Sequence, residues 1–101
     1  MAKEEKQIQN SIEDYLSYKK HFFWKNNSGA LPTKTGGFIR FGAVGSPDIC
    51  LIFKGQFFAL EVKGKKGKQS PGQIEFQNGL EKVGGLYFIV KSIDDVISMG
   101  L

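Results

Sequence analysis

The stretch Pro47-Asp48-Ile49-Cys50-Leu51-Ile52-Phe53-Lys54-Gly55-Gln56-Phe57-Phe58-Ala59-Leu60-Glu61-Val62-Lys63 decides the fold. Two β-prone runs, Asp48–Phe53 and Gln56–Lys63, flank Lys54-Gly55, the pattern of a hairpin closed by a two-residue turn. Such a turn makes Phe53 and Gln56 partners, so facing residues in antiparallel register have numbers that sum to 109. Asp48 and Glu61 meet that condition. Their carboxylates are expected on one face with Cα atoms roughly 4.5–5.5 Å apart. Lys63 shares that face and Val62 takes the other. Like charges opposed this closely destabilise a sheet unless a cation lies between them or one carboxyl is protonated. A divalent metal bridging Asp48 and Glu61, with Lys63 alongside, resolves the conflict. Each residue alone has a plainer reading: Asp48 opens a strand after a turn, and Glu61 and Lys63 pair on a solvated face. The combination is what points to a site.

Outward from the hairpin, Ile8, Ile12, Tyr15 and Leu16 form one stripe of an amphipathic helix over Glu4–Lys19, with Glu4 and Glu5 at its positive end. His21–Trp24 and Phe38–Phe41 read as short strands, and Asn26–Gly37, with Pro32 and Gly36-Gly37, as a polar loop. Beyond the hairpin, Gly64–Gln69 is a basic loop. Ser70-Pro71-Gly72-Gln73 then starts a helix, with Ser as N-cap, Pro first and Gln third. Phe76, Leu80 and Val83 are its expected buried face, and Gly84-Gly85 stops it. Leu86–Val90 reads as a buried strand, and Ser92 caps a last helix carrying Val96, Ile97 and Met99. The order α-β-β-β-β-α-β-α predicts an α/β (α+β) domain spanning residues 1–101, with one mixed sheet flanked by helices.

Composition narrows the chemistry. One cysteine, Cys50, and one histidine, His21, exclude disulfide frameworks, cysteine-rich zinc sites and His-pair metal motifs. Any metal must then be held by carboxylates, which favours Mg²⁺ or Mn²⁺. The apolar runs are far short of the roughly 20 residues of a membrane span, and the polar N-terminal segment lacks the apolar stretch of a signal peptide. The net charge is +4, and 13 of the 14 basic residues are lysine. Lysine suits phosphate, whereas bidentate reading of guanine is mostly an arginine task. Lys54, Lys63, Lys65, Lys66 and Lys68 cluster around a single acid, Glu61. Lys65, Lys66 and Lys68 leave the acid-bearing strand directly and suit phosphates of a bound nucleic acid; Asn26, Ser28, Lys34 and Arg40 border the long loop as weaker candidates. Phe22, Phe23 and Trp24 are expected in a core or an interface, with base stacking as the alternative.

Gly45-Ser46-Pro47-Asp48 followed by Glu61-Val62-Lys63 resembles the PD-(D/E)xK nuclease signature. More narrowly, the whole chain resembles the virus-type replication-repair nuclease (VRR-NUC) domain in its small stand-alone form. Glu5 with Ile8-Gln9 and Tyr15-Leu16, the Gly-Ser-Pro-Asp turn, Glu-Val-Lys, and Ser-Pro-Gly-Gln-Ile-Glu-Phe carry that resemblance in order. It implies an α-β-β-β-α-β restriction-endonuclease-like core. It also implies a catalytic set of Asp48, Glu61, Lys63, Gln73 and Glu5, with the metal held by Asp48, Glu61 and the backbone carbonyl of Val62. Lys63 would position or deprotonate the attacking water. Gln73 has a competing role as the third residue of a capping box, and Glu5 as a helix-start acid. The resemblance further implies DNA as substrate, a homodimer that resolves four-way (Holliday) junctions, and a phage or prophage setting in the bacterial cytoplasm. A flap or restriction-like nuclease, a nuclease acting on RNA, and a catalytically silent binding module remain alternatives.

Overall fold

The computed structural model describes residues 3–26, 29–41 and 43–101. Its elements are α1 (Lys3–Tyr18), β1 (Phe22–Lys25), β2 (Gly29–Pro32), β3 (Phe38–Phe41), β4 (Ile49–Phe53), β5 (Gln56–Val62), α2 (Pro71–Lys82), β6 (Leu86–Val90) and α3 (Ile93–Ser98). A mixed four-stranded sheet has the order β1-β4-β5-β6. The hairpin register pairs Ile49 with Leu60 and Phe53 with Gln56, as expected. Lys54 and Gly55 both take positive φ, 51° and 77°, the conformation that matches a tight turn to the twist of its strands. β5 and β6 run parallel, so α2 serves as the crossover between them.

The core lies between one sheet face and the helices α1 and α3. Ile12 and Leu16 of α1 and Val96 of α3 pack with Ile49, Leu51, Leu60, Val62 and Val90, all of them completely buried. Each such side chain stabilises the fold by about 1.5–3 kcal/mol. Lys20, with φ of 61°, closes α1, and His21 N–H reaches back to the Leu16 carbonyl, which turns the chain into β1.

Three expectations need correction. The segment read as a loop contains β2, which pairs with β3 as a separate two-stranded sheet, so the strands do not form one sheet. Val83 is 82% exposed, because α2 ends there and Gly84, at φ 92°, redirects the chain. β6 is an edge strand: Tyr87 and Val90 are buried, while Leu86 and Ile89 are exposed. On α3, Val96 is buried and Ile97 is exposed.

Candidate active site

The residue before β4 and the second-last residue of β5 set the site. Continuing the hairpin register one step places Asp48 opposite Glu61. Counting from the turn, this is a non-hydrogen-bonded pair, the type in which facing side chains stand closest. The next pair, Pro47 and Val62, would exchange both backbone bonds in a regular ladder. Proline has no N–H, so the Val62 carbonyl loses its ladder donor. The Val62 N–H is taken by Asp48 Oδ2 at 2.8 Å instead. The Pro47 carbonyl accepts from Asn26 Nδ2 at 3.0 Å, and the Asp48 carbonyl accepts from Asn26 N–H at 2.8 Å. Asn26 therefore pins the turn that presents Asp48, a structural use for a residue read as a weak nucleic-acid candidate.

Gly45 brings that turn against α2. It sits at φ 76°, and a side chain there would run into the Gly72 carbonyl. This close approach sets Gln73 beside Glu61. Ser70 caps α2, its Oγ accepting from Gln73 N–H at 3.2 Å, while Gln73 Oε1 accepts from Ser70 N–H at 2.9 Å. The same amide donates through Nε2 to Glu61 Oε2 at 3.0 Å. Lys63 Nζ lies 3.7 Å from that oxygen.

Glu61 is 4% exposed, and its other oxygen, Oε1, is buried without a hydrogen-bond partner. Its carboxyl is pushed up to about 8, first by burial and then by the facing Asp48 charge; Glu5 adds to the rise and Lys63 opposes it. The groups here that could hold a metal, the Glu61 and Asp48 carboxyls and the Val62 carbonyl, are all oxygen donors, the chemistry that suits Mg²⁺ or Mn²⁺. Among the described residues there is no cluster of three or more His, Cys, Asp or Glu side chains that could hold a metal ion.

The other expected residues are distributed around this centre. Glu5 is half-buried on α1, within electrostatic reach of Glu61. Lys65, Lys66 and Lys68 are exposed on the loop leaving β5. Glu4 accepts from Lys65 N–H at 3.1 Å, and Lys91 Nζ donates to the Lys65 carbonyl at 3.1 Å, so this loop is anchored on both sides. Lys34 is exposed between β2 and β3. Arg40 falls in β3, and its side chain, like Ser28, lies outside the described residues. Tyr87 was not legible as a site neighbour: its hydroxyl is buried without a partner, and it is pushed up to about 12 by burial and by Glu61. Only the parallel register of β5 and β6 reveals it, because it pairs Ala59 with Tyr87 and so puts both on the face of Glu61.

No family model and no curated protein matches the chain. Among solved structures, one described as "VRR_NUC domain" is similar over 97% of this chain and 95% of its own, with a TM-score of 0.70 and 23% identity. That likeness establishes the fold. Among the described residues, no helix is long and apolar enough to cross a membrane.

Proposed function

We propose that this chain, which shares the fold of a VRR_NUC domain, is a divalent-metal-dependent DNA endonuclease whose residues 1–101 act as one nuclease domain. The observation that carries the reading is the facing pair of half-buried Asp48 and buried Glu61, with Lys63 Nζ 3.7 Å from Glu61. A binding module has no use for two carboxylates held face to face at such electrostatic cost. Asp48, Glu61 and the Val62 carbonyl would hold Mg²⁺ or Mn²⁺, which supplies Lewis-acid stabilisation of the charge that builds on the phosphate oxygens. Lys63 orients the attacking water and offsets negative charge in the transition state. Gln73 fixes the rotation of the Glu61 carboxylate, and Glu5 adds negative charge behind it. Lys65, Lys66 and Lys68 grip phosphates flanking the cut, with Lys34 and Arg40 further out.

The preferred substrate in this reading is a four-way junction. A two-fold homodimer presents two such centres to a substrate of matching symmetry. The test is cleavage of end-labelled junction, flap, duplex, single-stranded DNA and RNA in Mg²⁺ or Mn²⁺. Paired nicks near the crossover are expected. Cutting of flap or duplex alone would overturn the junction preference and keep the chemistry. Binding without cutting of any substrate would replace the nuclease by a silent nucleic-acid-binding module.

A further inference from the structure

Among the described residues three buried side-chain atoms have no hydrogen-bond partner, and two of them, Glu61 Oε1 and the Tyr87 hydroxyl, lie on one sheet face. The third, His21 Nε2, belongs to the turn from α1 into β1. Folded chains pair nearly all such atoms, because an unmet one keeps its full desolvation cost. The two on this face are complementary: a carboxylate oxygen accepts and a phenol donates.

Their placement follows from the register. β5 and β6 run parallel and pair Ala59 with Tyr87 and Glu61 with Ile89, so Tyr87 is the diagonal neighbour of Glu61. Cα atoms on such a diagonal are about 7–8 Å apart, a span that long side chains reach across. Ala59 carries only a methyl group and leaves the space beside Glu61 to the tyrosine ring. Phe76 of α2 closes over that ring, with centroids 6.4 Å apart, and Tyr87 is 6% exposed. The buried hydroxyl is out of reach of a bound nucleic acid, so the group it serves is a neighbour within the protein. Gln69 also lies beside it, but an amide N–H of Gln69 is aimed at Gln77 Oε1, 2.7 Å away.

We propose that Tyr87 is a positioning residue for Glu61: its hydroxyl donates to Glu61 Oε1 when the carboxylate holds a divalent metal. The proposal rests on the metal-dependent reading above and deepens it. Gln73 Nε2 already holds Oε2, so the tyrosine would grip the carboxylate by its second oxygen and fix its plane. Oε1 can serve a metal and a phenol together, since each carboxylate oxygen offers two lone pairs. The phenol keeps its proton for this task, because burial and the Glu61 charge push it up to about 12. The competing role is packing alone, in which the ring fills the space between Ala59 and Phe76 and the hydroxyl does nothing.

Tyr87→Phe keeps the ring and deletes the oxygen. Calorimetric titration with Mn²⁺ and thermal unfolding of the metal-free chain, both without DNA, separate the two roles. The Mn²⁺ dissociation constant should rise roughly tenfold to a hundredfold. The metal-free Tm should equal or exceed that of wild type, because the variant removes a buried donor that lacks a partner there. Cleavage by the variant should fall at limiting Mn²⁺ and recover when Mn²⁺ is raised by the same factor, with the KM for DNA unchanged. Unchanged Mn²⁺ affinity would overturn the proposal and leave Tyr87 a packing residue. A metal-free Tm below wild type would mean that the hydroxyl is bonded without metal, to Gln69, and would overturn it as well. A wild type that binds Mn²⁺ but cuts nothing would fault the nuclease reading alone, and the Mn²⁺ comparison would still decide for or against Tyr87. A wild type that binds no Mn²⁺ would overturn the metal reading and this proposal together.

Discussion

Gln73 holds Glu61 with one end of its amide, Nε2 to Oε2 at 3.0 Å, while the other end accepts from Ser70 N–H and closes the capping box of α2. The two roles that compete for this side chain in the sequence are compatible, because an amide offers a donor and an acceptor on opposite sides. The start of α2 is therefore tied mechanically to the carboxylate that the proposed chemistry depends on.

Two variants separate these tasks. Ser70→Ala removes the cap and should lower stability by about 1 kcal/mol while leaving cleavage near wild type. Gln73→Ala should cost similar stability and also slow cleavage by roughly tenfold to a hundredfold, as Glu61 loses its fixed orientation. Thermal unfolding and initial cleavage rates check both; equal cleavage losses in the two variants would mean that Gln73 acts only as a cap.

The proposed metal role of the acids predicts an inverted stability pattern. Without metal, Glu61→Gln removes the cost of ionising a buried carboxyl that faces Asp48 and should be at least as stable as wild type. With Mn²⁺ at a hundred times its dissociation constant, wild type should gain about 2.7 kcal/mol, on the order of 10 °C in Tm, and the variant should gain almost nothing. Stripping the metal with a chelator should return wild type to its starting Tm.

Pro47 makes a sharper test of the carbonyl. Pro47→Ala restores an N–H opposite Val62, so the Val62 carbonyl regains a ladder partner and becomes a poorer ligand. Mn²⁺ affinity should fall roughly tenfold in calorimetric titration, with the hairpin still folded. Unchanged affinity would remove the carbonyl from the ligand set.

Much of this was legible because the hairpin is closed by a two-residue turn. One turn length fixes every pairing from Phe53–Gln56 outward, and that places Asp48 against Glu61 before any tertiary contact is known. β2 was not legible. Gly29, Ala30 and Pro32 are weak strand formers, and only pairing with Phe38–Phe41 stabilises the extended chain there. The exposure of Phe22 and Trp24 was hidden for a different reason: an apolar side chain in a short strand reads the same whether or not the fold covers it. Tyr87 became a neighbour of Glu61 only through the β5–α2–β6 crossover, which no local pattern specifies.

The lysine loop gives a prediction in salt. Lys66→Ala should weaken DNA binding and flatten the slope of log affinity against log salt by about 0.9 if it contacts one phosphate. A slope identical to wild type in fluorescence anisotropy would take Lys66 off the DNA path.

The most direct test of the central claim is Mn²⁺-dependent cleavage of labelled DNA by wild type, Asp48→Ala and Glu61→Ala, each shown to be folded by circular dichroism. The account predicts metal-dependent cutting by wild type and a loss of at least roughly a hundredfold to a thousandfold in either variant. Cutting at the wild-type rate by either variant would contradict it.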